Sequence, residues 1–261
     1  MNTQSNGKTS EKSNSKNIAG KTAIVLFWLI LWQVLSAAVN NSILFVGPAD
    51  VLASLSSQIG TFDFWKTIGL SSLRICTGFT AAFFCGILTG CLAFRFPFLD
   101  ELLAPVMLLL KSIPVASFVI LALIWTGAEN LSVFIAFTIV LPMLYTATLS
   151  GLKSADDKLL EMARVFRLSF FRKVKAVYLP ALLPYLLTSV RTALGMSFKS
   201  GVAAEVIGVP SYSIGEKLYM SKIYLDTAGL FAWTLVIIAV TFFFERLFLL
   251  LIGSLDRKKQ G

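Results

Sequence analysis

The feature that most constrains this chain is a series of six long apolar runs that carry few or no charges. Each run covers about 18 to 27 residues, enough for a helix to cross a hydrocarbon core roughly 30 Å thick. Of the 261 residues, 56% are hydrophobic and 14% are charged, whereas soluble domains have about 45–50% and about 25%. The pattern predicts an all-α integral membrane protein with six transmembrane helices. They are expected at about Thr22–Val39, Ile75–Phe94, Leu102–Trp125, Leu131–Ser150, Ala181–Ile207 and Leu230–Ile252.

The distribution of Lys and Arg gives the expected orientation. With both termini inside, fifteen basic residues fall in cytoplasmic segments and four fall outside, which is the asymmetry that membrane insertion produces. The net charge of +9 then reflects the cytoplasmic loops and does not indicate nucleic-acid binding. The cytoplasmic residues are Lys8, Lys12, Lys16, Lys21, Arg95, Lys153, Lys158, Arg164, Arg167, Arg172, Lys173, Lys175, Arg257, Lys258 and Lys259, and the outer four are Lys66, Arg74, Lys217 and Lys222.

Four regions follow along the chain. Residues 1–20 are polar and rich in Ser, Asn and Lys, which predicts a disordered cytoplasmic tail. Residues 21–64 comprise the first transmembrane helix and an outer amphipathic segment, residues 65–252 form the main membrane domain, and residues 253–261 form a second cytoplasmic tail. The first apolar run could also be a signal peptide cleaved near Ser36-Ala37-Ala38. The long polar leader and the Trp and Leu content favour a retained anchor.

The composition excludes several classes of chemistry. The chain has no His and three Cys, so zinc hydrolysis, a His-activated nucleophile and a His-ligated haem lack a required residue. Cys76, Cys85 and Cys91 follow no metal-ligand spacing and are interpreted as small core residues. The chain also lacks a Gly-rich phosphate loop. An intramembrane enzyme would need an unusual pair such as Ser200 beside Lys199.

The longest predicted cytoplasmic connection, Leu152–Tyr178, is too polar to enter lipid. Ser154 can cap a helix there, and Asp156 and Asp157 lie where the positive end of the helix dipole favours carboxylates. Lys158, Glu161 and Arg164 recur at helical spacing on a charged face. The predicted apolar face of the same helix consists of Leu159, Leu160, Ala163 and Phe166.

A second short helix is predicted at Ser169–Val177, ended by Pro180. Two interpretations of this helical loop remain open on composition alone. It can lie on the bilayer surface as an amphipathic segment, or it can dock into a groove of a partner protein.

The same loop resembles the EAA loop of ABC-importer permeases. The matching pattern is Glu-Ala-Ala, three residues, Gly, nine residues, then Ile, any residue and Leu-Pro. Met162 departs from the pattern in its second position, and Arg167 replaces its Gly, where Gly would allow a backbone turn that Arg resists. The resemblance implies that this loop couples the chain to an ATPase. The candidate coupling residues are Glu161, Met162, Ala163, Arg164, Arg167, Val177, Leu179 and Pro180.

The likeness extends over roughly residues 48–248 and is closest to permeases of the nitrate, sulfonate and taurine type. It implies the MetI-like fold of a type I importer in the bacterial plasma membrane, working as a homodimer. Its partners would be two ATPase subunits, which use the ATP and Mg²⁺, and a solute-binding lipoprotein outside; this chain would bind no cofactor. The supporting motifs are Leu73-Arg74, Gly78-Phe79, Ile113-Pro114, Trp125-Thr126-Gly127, Thr148-Leu149-Ser150-Gly151, Arg191-Thr192-Ala193-Leu194-Gly195 and Val202-Ala203-Ala204-Glu205.

Four charged residues within the predicted spans are candidates for the translocation pathway or for bracing the helices: Lys111, Arg191, Lys199 and Glu205. A charge at the bilayer centre costs about 2.5–3.5 kcal/mol, and Arg191 lies about 15 Å into its span. Bracing is favoured for Arg191 and Glu205, while Lys199 and Lys111 remain open between the two roles. The excess of basic residues favours a small anionic solute. The alternative function is a self-sufficient secondary transporter or channel.

Overall fold

The computed structural model describes residues 7–39, 41 and 43–257, and this part of the chain is helical throughout, without strands. Its elements are α1 (Gly7–Val39), α2 (Pro48–Ile59), α3 (Phe62–Arg95), α4 (Pro97–Ser112), α5 (Val115–Lys153), α6 (Asp157–Val165), α7 (Phe170–Lys173), a π-helical turn (Val174–Tyr178), α8 (Leu179–Gly208), α9 (Ile214–Ile223) and α10 (Thr227–Arg257).

The two predicted tails differ from the structure where it describes them. Helix α1 begins at Gly7, within the predicted disordered tail of residues 1–20; residues 1–6 lie outside the described part. Extending a helix outward from an apolar segment adds a hydrogen bond per residue and needs no new nucleus. At the other end α10 continues to Arg257, inside the predicted tail of residues 253–261, whose last four residues are also outside the described part.

Within the described residues, five helices are long and apolar enough to cross a membrane, whereas the sequence predicts six spans. The difference lies in the predicted third span, Leu102–Trp125. Helix α4 ends at Ser112 and α5 begins at Val115, because Ile113 adopts an extended conformation with ψ 126° before Pro114, as residues preceding proline generally do. The five helices cover Thr22–Val39, Phe62–Arg95, Val115–Lys153, Phe170–Gly208 and Thr227–Phe248.

Helix α5 contains a sharp turn at Gly127, where φ is 70° and ψ is 170°. Glycine lacks the Cβ atom that disfavours this backbone conformation in other residues. The turn divides α5 into a first arm, residues 115–126, and a second arm, residues 128–153. The rings of Phe118 and Phe134 lie 5.9 Å apart across it. The predicted third and fourth spans are therefore a helical hairpin, with α4 and the first arm running antiparallel to the second arm.

The chain divides into two compact units. The smaller unit comprises the chain up to Gly60 together with Ser221–Ala232. Within it, the Trp32 indole donates to the Val46 carbonyl at 2.9 Å, and the Trp32 ring lies 5.8 Å from that of Phe231. These contacts anchor the segment that follows α1.

The larger unit, Thr61–Met220 with Trp233–Gly261, is built around close contacts of α3 and α8 with the second arm of α5. At Gly78 an added Cβ atom would lie 2.2 Å from the backbone oxygen of Val133, so α3 and α5 touch through their backbones, as membrane helices often do at small residues. A fully buried cluster fills the space between the three helices; it comprises Phe79, Ala82, Val140, Leu144, Val190, Ala193 and Leu194.

Candidate functional site

The loop between α5 and α8 begins with a capped helix, but the cap is not the predicted residue. Asp156 is the N-cap of α6, and its side-chain oxygen accepts a hydrogen bond from the Lys158 N–H at 2.8 Å. The predicted cap, Ser154, instead donates to the Gly151 carbonyl at 2.9 Å at the end of α5. A carboxylate at the N-cap also interacts favourably with the helix dipole, which explains why α6 starts two residues later.

Helix α6 ends in a left-handed turn at Arg167, where φ is 47°. The Leu168 N–H bonds to the Ala163 carbonyl at 2.9 Å, and the Arg167 N–H bonds to the Arg164 carbonyl at 3.1 Å. This pair of hydrogen bonds is the Schellman motif, whose left-handed position usually holds Gly. The turn that the Gly of the EAA pattern would favour is thus present, with Arg in the left-handed conformation.

The residues of this loop separate into an anchored set and an exposed set. Ala163 and Val177 are buried, and the Tyr178 ring packs 5.5 Å from that of Phe94 in α3. Large apolar side chains on α6 and α7 are exposed instead, reaching 78% for Val165 and 83% for Phe171. We call this set the exposed apolar face; it consists of Met162, Val165, Phe166, Phe170 and Phe171.

The predicted apolar face of α6 is therefore only partly correct. Ala163 faces inward, but Leu159 and Phe166 are exposed. The charged residues Glu161, Arg164 and Arg167 are exposed beside the exposed apolar face. An exposed apolar patch ringed by charges is typical of a surface that contacts a partner protein or a membrane.

The predicted stop at Leu179-Pro180 is wrong. Helix α7, the π-helical turn and α8 form one continuous apolar helical stretch, Phe170–Gly208. The N–H of Leu179 bonds to the carbonyl of Val174, a wider turn than the α-helical one. Pro180 lies inside this continuous helix, two residues after the π-helical turn, and that wider turn accommodates its ring and its missing N–H.

Of the four charged candidates within the predicted spans, Lys111 is exposed and lines an open cavity. Its Nζ atom donates to Thr146 Oγ1 at 2.8 Å, and the cavity, of about 660 Å³, lies between α4, the second arm of α5 and α8. Arg191 and Lys199 are exposed on α8, and neither lines this cavity. The structure therefore does not bring these three basic residues together.

Glu205 is fully buried at the far end of α8. Its carboxylate accepts hydrogen bonds from Ser71 Oγ at 2.7 Å and from the Gly215 N–H at 3.3 Å. Ser71 Oγ in turn accepts from the Ile214 N–H at 2.7 Å. This network connects α3, α8 and the start of α9, which is a bracing arrangement.

Two polar clusters contain residues that sequence reasoning did not select as site candidates. Arg74 pairs with Glu129, and Glu129 also accepts from the Ser211 N–H at 3.2 Å. At the start of α4, Asp100 accepts from Lys153 Nζ at 2.8 Å and from the Tyr145 hydroxyl at 2.9 Å. The hydrogen bond from Lys153 holds the pKa of Asp100 below its ordinary value. The only sequence feature that indicates either polar cluster is a charged residue at the end of a predicted span.

Residues 82–258 match the family of binding-protein-dependent transport system inner membrane components. The chain belongs to this family. The match includes α6, α7, α8 and the Lys111 cavity, so these elements are parts of a shared membrane component.

Three curated relatives place the chain among ABC transporter permeases. It is 26% identical over 215 residues to a putative aliphatic sulfonates transport permease of Bacillus subtilis, covering 81% of this chain and 77% of that one. It is 30% identical over 221 residues to a bicarbonate transport permease of Synechocystis, covering 77% and 78%. A nitrate import permease of Synechococcus elongatus is 28% identical over 191 residues, covering 69% and 68%. The chain is a multi-pass inner-membrane transport subunit.

Proposed function

We propose that this chain is the permease subunit of an ATP-driven importer for a small anion, coupled to a separate ATPase through the loop between α5 and α8. The observation that carries the proposal is the exposed apolar face on α6 and α7, where Val165, Phe166, Phe170 and Phe171 are each more than two-thirds exposed. Exposing that much apolar surface to water is unfavourable. A groove on a partner protein would bury it.

The charge distribution supports a cytoplasmic location for this surface. Arg164, Arg172 and Lys173 lie beside the exposed apolar face, and clusters of Lys and Arg are retained on the cytoplasmic side. An ATPase that uses cytoplasmic ATP can reach the loop only there. Both termini would then be cytoplasmic, because α4 with the first arm of α5 would form one crossing and the second arm another, which makes six crossings in all.

The assembly is expected to contain two copies of this chain. One chain presents one coupling loop, so two ATPase subunits would require a second permease, which we propose is identical. Nucleotide-driven closure of the ATPases would draw the two loops together and rock the two halves, exposing the central path alternately to each side. ATP and Mg²⁺ would be bound by the ATPases and not by this chain, and a solute-binding protein would deliver the cargo from outside.

The proposed cargo class follows from the relatives and from the charges within the spans. The relatives are named for sulfonates, bicarbonate and nitrate, all small anions. Lys111, Arg191 and Lys199 place three positive charges on α4 and α8. A net positive pathway raises the local concentration of anions.

Co-purification tests the partner. The tagged full-length chain is extracted in mild detergent, and an ATPase is expected in stoichiometric amount, to be lost when residues 157–178 are scrambled in a chain that still folds. A chain that purifies alone and still moves anions in vesicles would contradict the proposal and would indicate a secondary transporter or channel.

A charge reversal tests coupling. Glu161→Lys should insert normally but reduce ATP-driven anion uptake about tenfold, because reversing a charge at a docking surface opposes association. Glu101→Lys is the matched control, since Glu101 is an exposed residue of α4 outside the loop, and it should retain uptake. Normal uptake by the Glu161 variant would remove its coupling role.

A further inference from the structure

The cavity that contains Lys111 is lined by side chains of one charge sign only. Lys111 is its single charged residue, and none of its lining residues is Asp or Glu. A cavity of about 660 Å³ is within the range of small-molecule sites. The lining consists of Lys111, Met143, Thr146, Ala147, Ser150, Pro184, Tyr185, Thr188, Ser189 and Thr192.

The Lys111 ammonium has a neutral hydrogen-bond partner and no counter-ion among the described residues. Thr146 Oγ1 lies 2.8 Å from Lys111 Nζ, and the same hydroxyl donates its proton to the Pro142 carbonyl at 2.7 Å. Thr146 therefore accepts from Lys111 with a lone pair and adds no negative charge. An ammonium has three N–H donors, so two remain available to a ligand.

Hydroxyl groups supply further donors around this ammonium. Ser150 and Tyr185 both line the cavity, and their hydroxyls bond to no other residue in the described part of the chain. Thr192 Oγ1 makes a long bond of 3.3 Å to the Thr188 carbonyl, and a hydroxyl can rotate to a better acceptor. A ligand in this cavity is thus offered donors and one positive charge.

These properties select among ligand classes. A cation would face the unpaired ammonium at close range, which is unfavourable. A neutral polyol could bond to the lining hydroxyls, which both donate and accept, but it would leave the charge of Lys111 without a counter-ion. An oxoanion has several acceptor oxygens and one negative charge, and charge-assisted hydrogen bonds to an ammonium are the stronger kind. Met143, Ala147 and Pro184 add apolar surface that suits a short alkyl group.

We propose that this cavity is a binding site for a small oxoanion, with Lys111 as its charge-bearing residue and with Thr146, Ser150 and Tyr185 positioned around the anion. This assignment deepens the proposed function, on which it rests for the passage of anions through the chain. It gives the path an anion-selective site between α4, the second arm of α5 and α8, which Arg191 and Lys199 do not line.

The test compares the rates at which charged reagents label a thiol in the cavity, and it does not require a transport assay. Cys76, Cys85 and Cys91, the free cysteines in the described part of the chain, are replaced by Ala, and Ala147→Cys places a thiol in the cavity wall. The full-length permease with its ATPase is treated with sulfonatoethyl methanethiosulfonate, which is anionic, and with trimethylammonioethyl methanethiosulfonate, which is cationic. Each rate is divided by that of the same reagent with a free thiol in solution.

The corrected ratio of anionic to cationic rates should exceed one and should fall about tenfold in Lys111→Met. Lys111→Arg, which keeps the charge, should preserve the ratio, as should Arg95→Met, which removes an exposed charge at the end of α3 outside the cavity. Ethanesulfonate or nitrate should slow labelling relative to chloride at equal ionic strength, and this protection should disappear in Lys111→Met.

An unchanged ratio in Lys111→Met, or equal labelling in chloride and in the oxoanions, would overturn the site. Retention of the wild-type gel-filtration profile and of full labelling by a small neutral thiol reagent confirms that each variant is folded. Since neither ATP nor uptake enters this measurement, failure of ATP-driven uptake would overturn the proposed function without altering these rates. An unchanged labelling ratio in Lys111→Met would in turn contradict the oxoanion site but not the importer assignment.

Discussion

The left-handed turn at Arg167 predicts that Arg167→Gly stabilises the loop between α5 and α8. An L-residue in this conformation costs about 1–2 kcal/mol relative to the right-handed form, whereas Gly adopts it without steric cost. Gly also loses about 0.5–1 kcal/mol more conformational entropy on ordering. The net gain is therefore about 0.5–1 kcal/mol. It should act on the two hydrogen bonds that end α6, from the N–H of residue 167 to Arg164 and from the N–H of Leu168 to Ala163.

Amide hydrogen exchange of the permease without its ATPase measures this gain. A stabilisation of about 0.5–1 kcal/mol slows local opening about two- to fivefold at the amides of residues 167 and 168. Arg167→Ala is the control, because it removes the guanidinium but keeps the Cβ atom, and it should show no slowing. Equal protection in the glycine and alanine variants would refute the argument from backbone strain. Loss of ATP-driven uptake in both variants would show that the Arg167 side chain contacts the partner.

Three further predictions concern the supporting structure. Gly78→Ala should lower the free energy of unfolding by about 2 kcal/mol, because its methyl group would collide with a backbone carbonyl of α5; Gly69→Ala in the same helix meets no neighbour and should gain about 0.5 kcal/mol. Glu205→Ala should cost about 2–3 kcal/mol by leaving buried donors unpaired. Thermal unfolding in detergent measures the change in stability of each variant in this paragraph. Because the Asp100 pKa is lowered by Lys153, Lys153→Met should be less stable than the wild type near neutral pH, and the difference should shrink as the pH falls below the ordinary carboxyl value of 3.8.

The transmembrane helices were predictable because lipid offers no hydrogen-bond partners to the backbone N–H and C=O groups, which leaves few possible backbone structures. A long apolar run must be helical to cross a bilayer, so the apolar runs alone locate the helices of the main unit. The broken third span was not predicted, although its causes are local. Pro114 and Gly127 are both visible in the sequence, but a run scored only by apolarity carries no information on where proline and glycine interrupt the helix.

The sequence predicts the position of the loop between α5 and α8, but it predicts the local structure of that loop less well. The loop of α6 and α7 lies where the polar stretch indicates, yet its cap is Asp156 and not Ser154. Two neighbouring residues can each cap a helix, and which one does so depends on where α5 ends. The pairing of Arg74 with Glu129 depends on the hairpin at Gly127, which brings distant segments together. Pairings of this kind follow from the tertiary fold and carry no local signal.

The course of α8 connects the elements that the proposals use. The helical stretch Phe170–Gly208 is continuous, with the exposed apolar face at one end and the buried Glu205 network near the other. Thr188, in the cavity wall, lies roughly halfway along the helix between Phe170 and Glu205, at about 1.5 Å per residue. If Glu205 acts as a fixed point, a displacement of the loop end by a partner moves the cavity wall roughly half as far. To the extent that the π-helical turn transmits the movement, displacement of this loop would change the width of the Lys111 cavity, which would link anion release to the proposed ATPase.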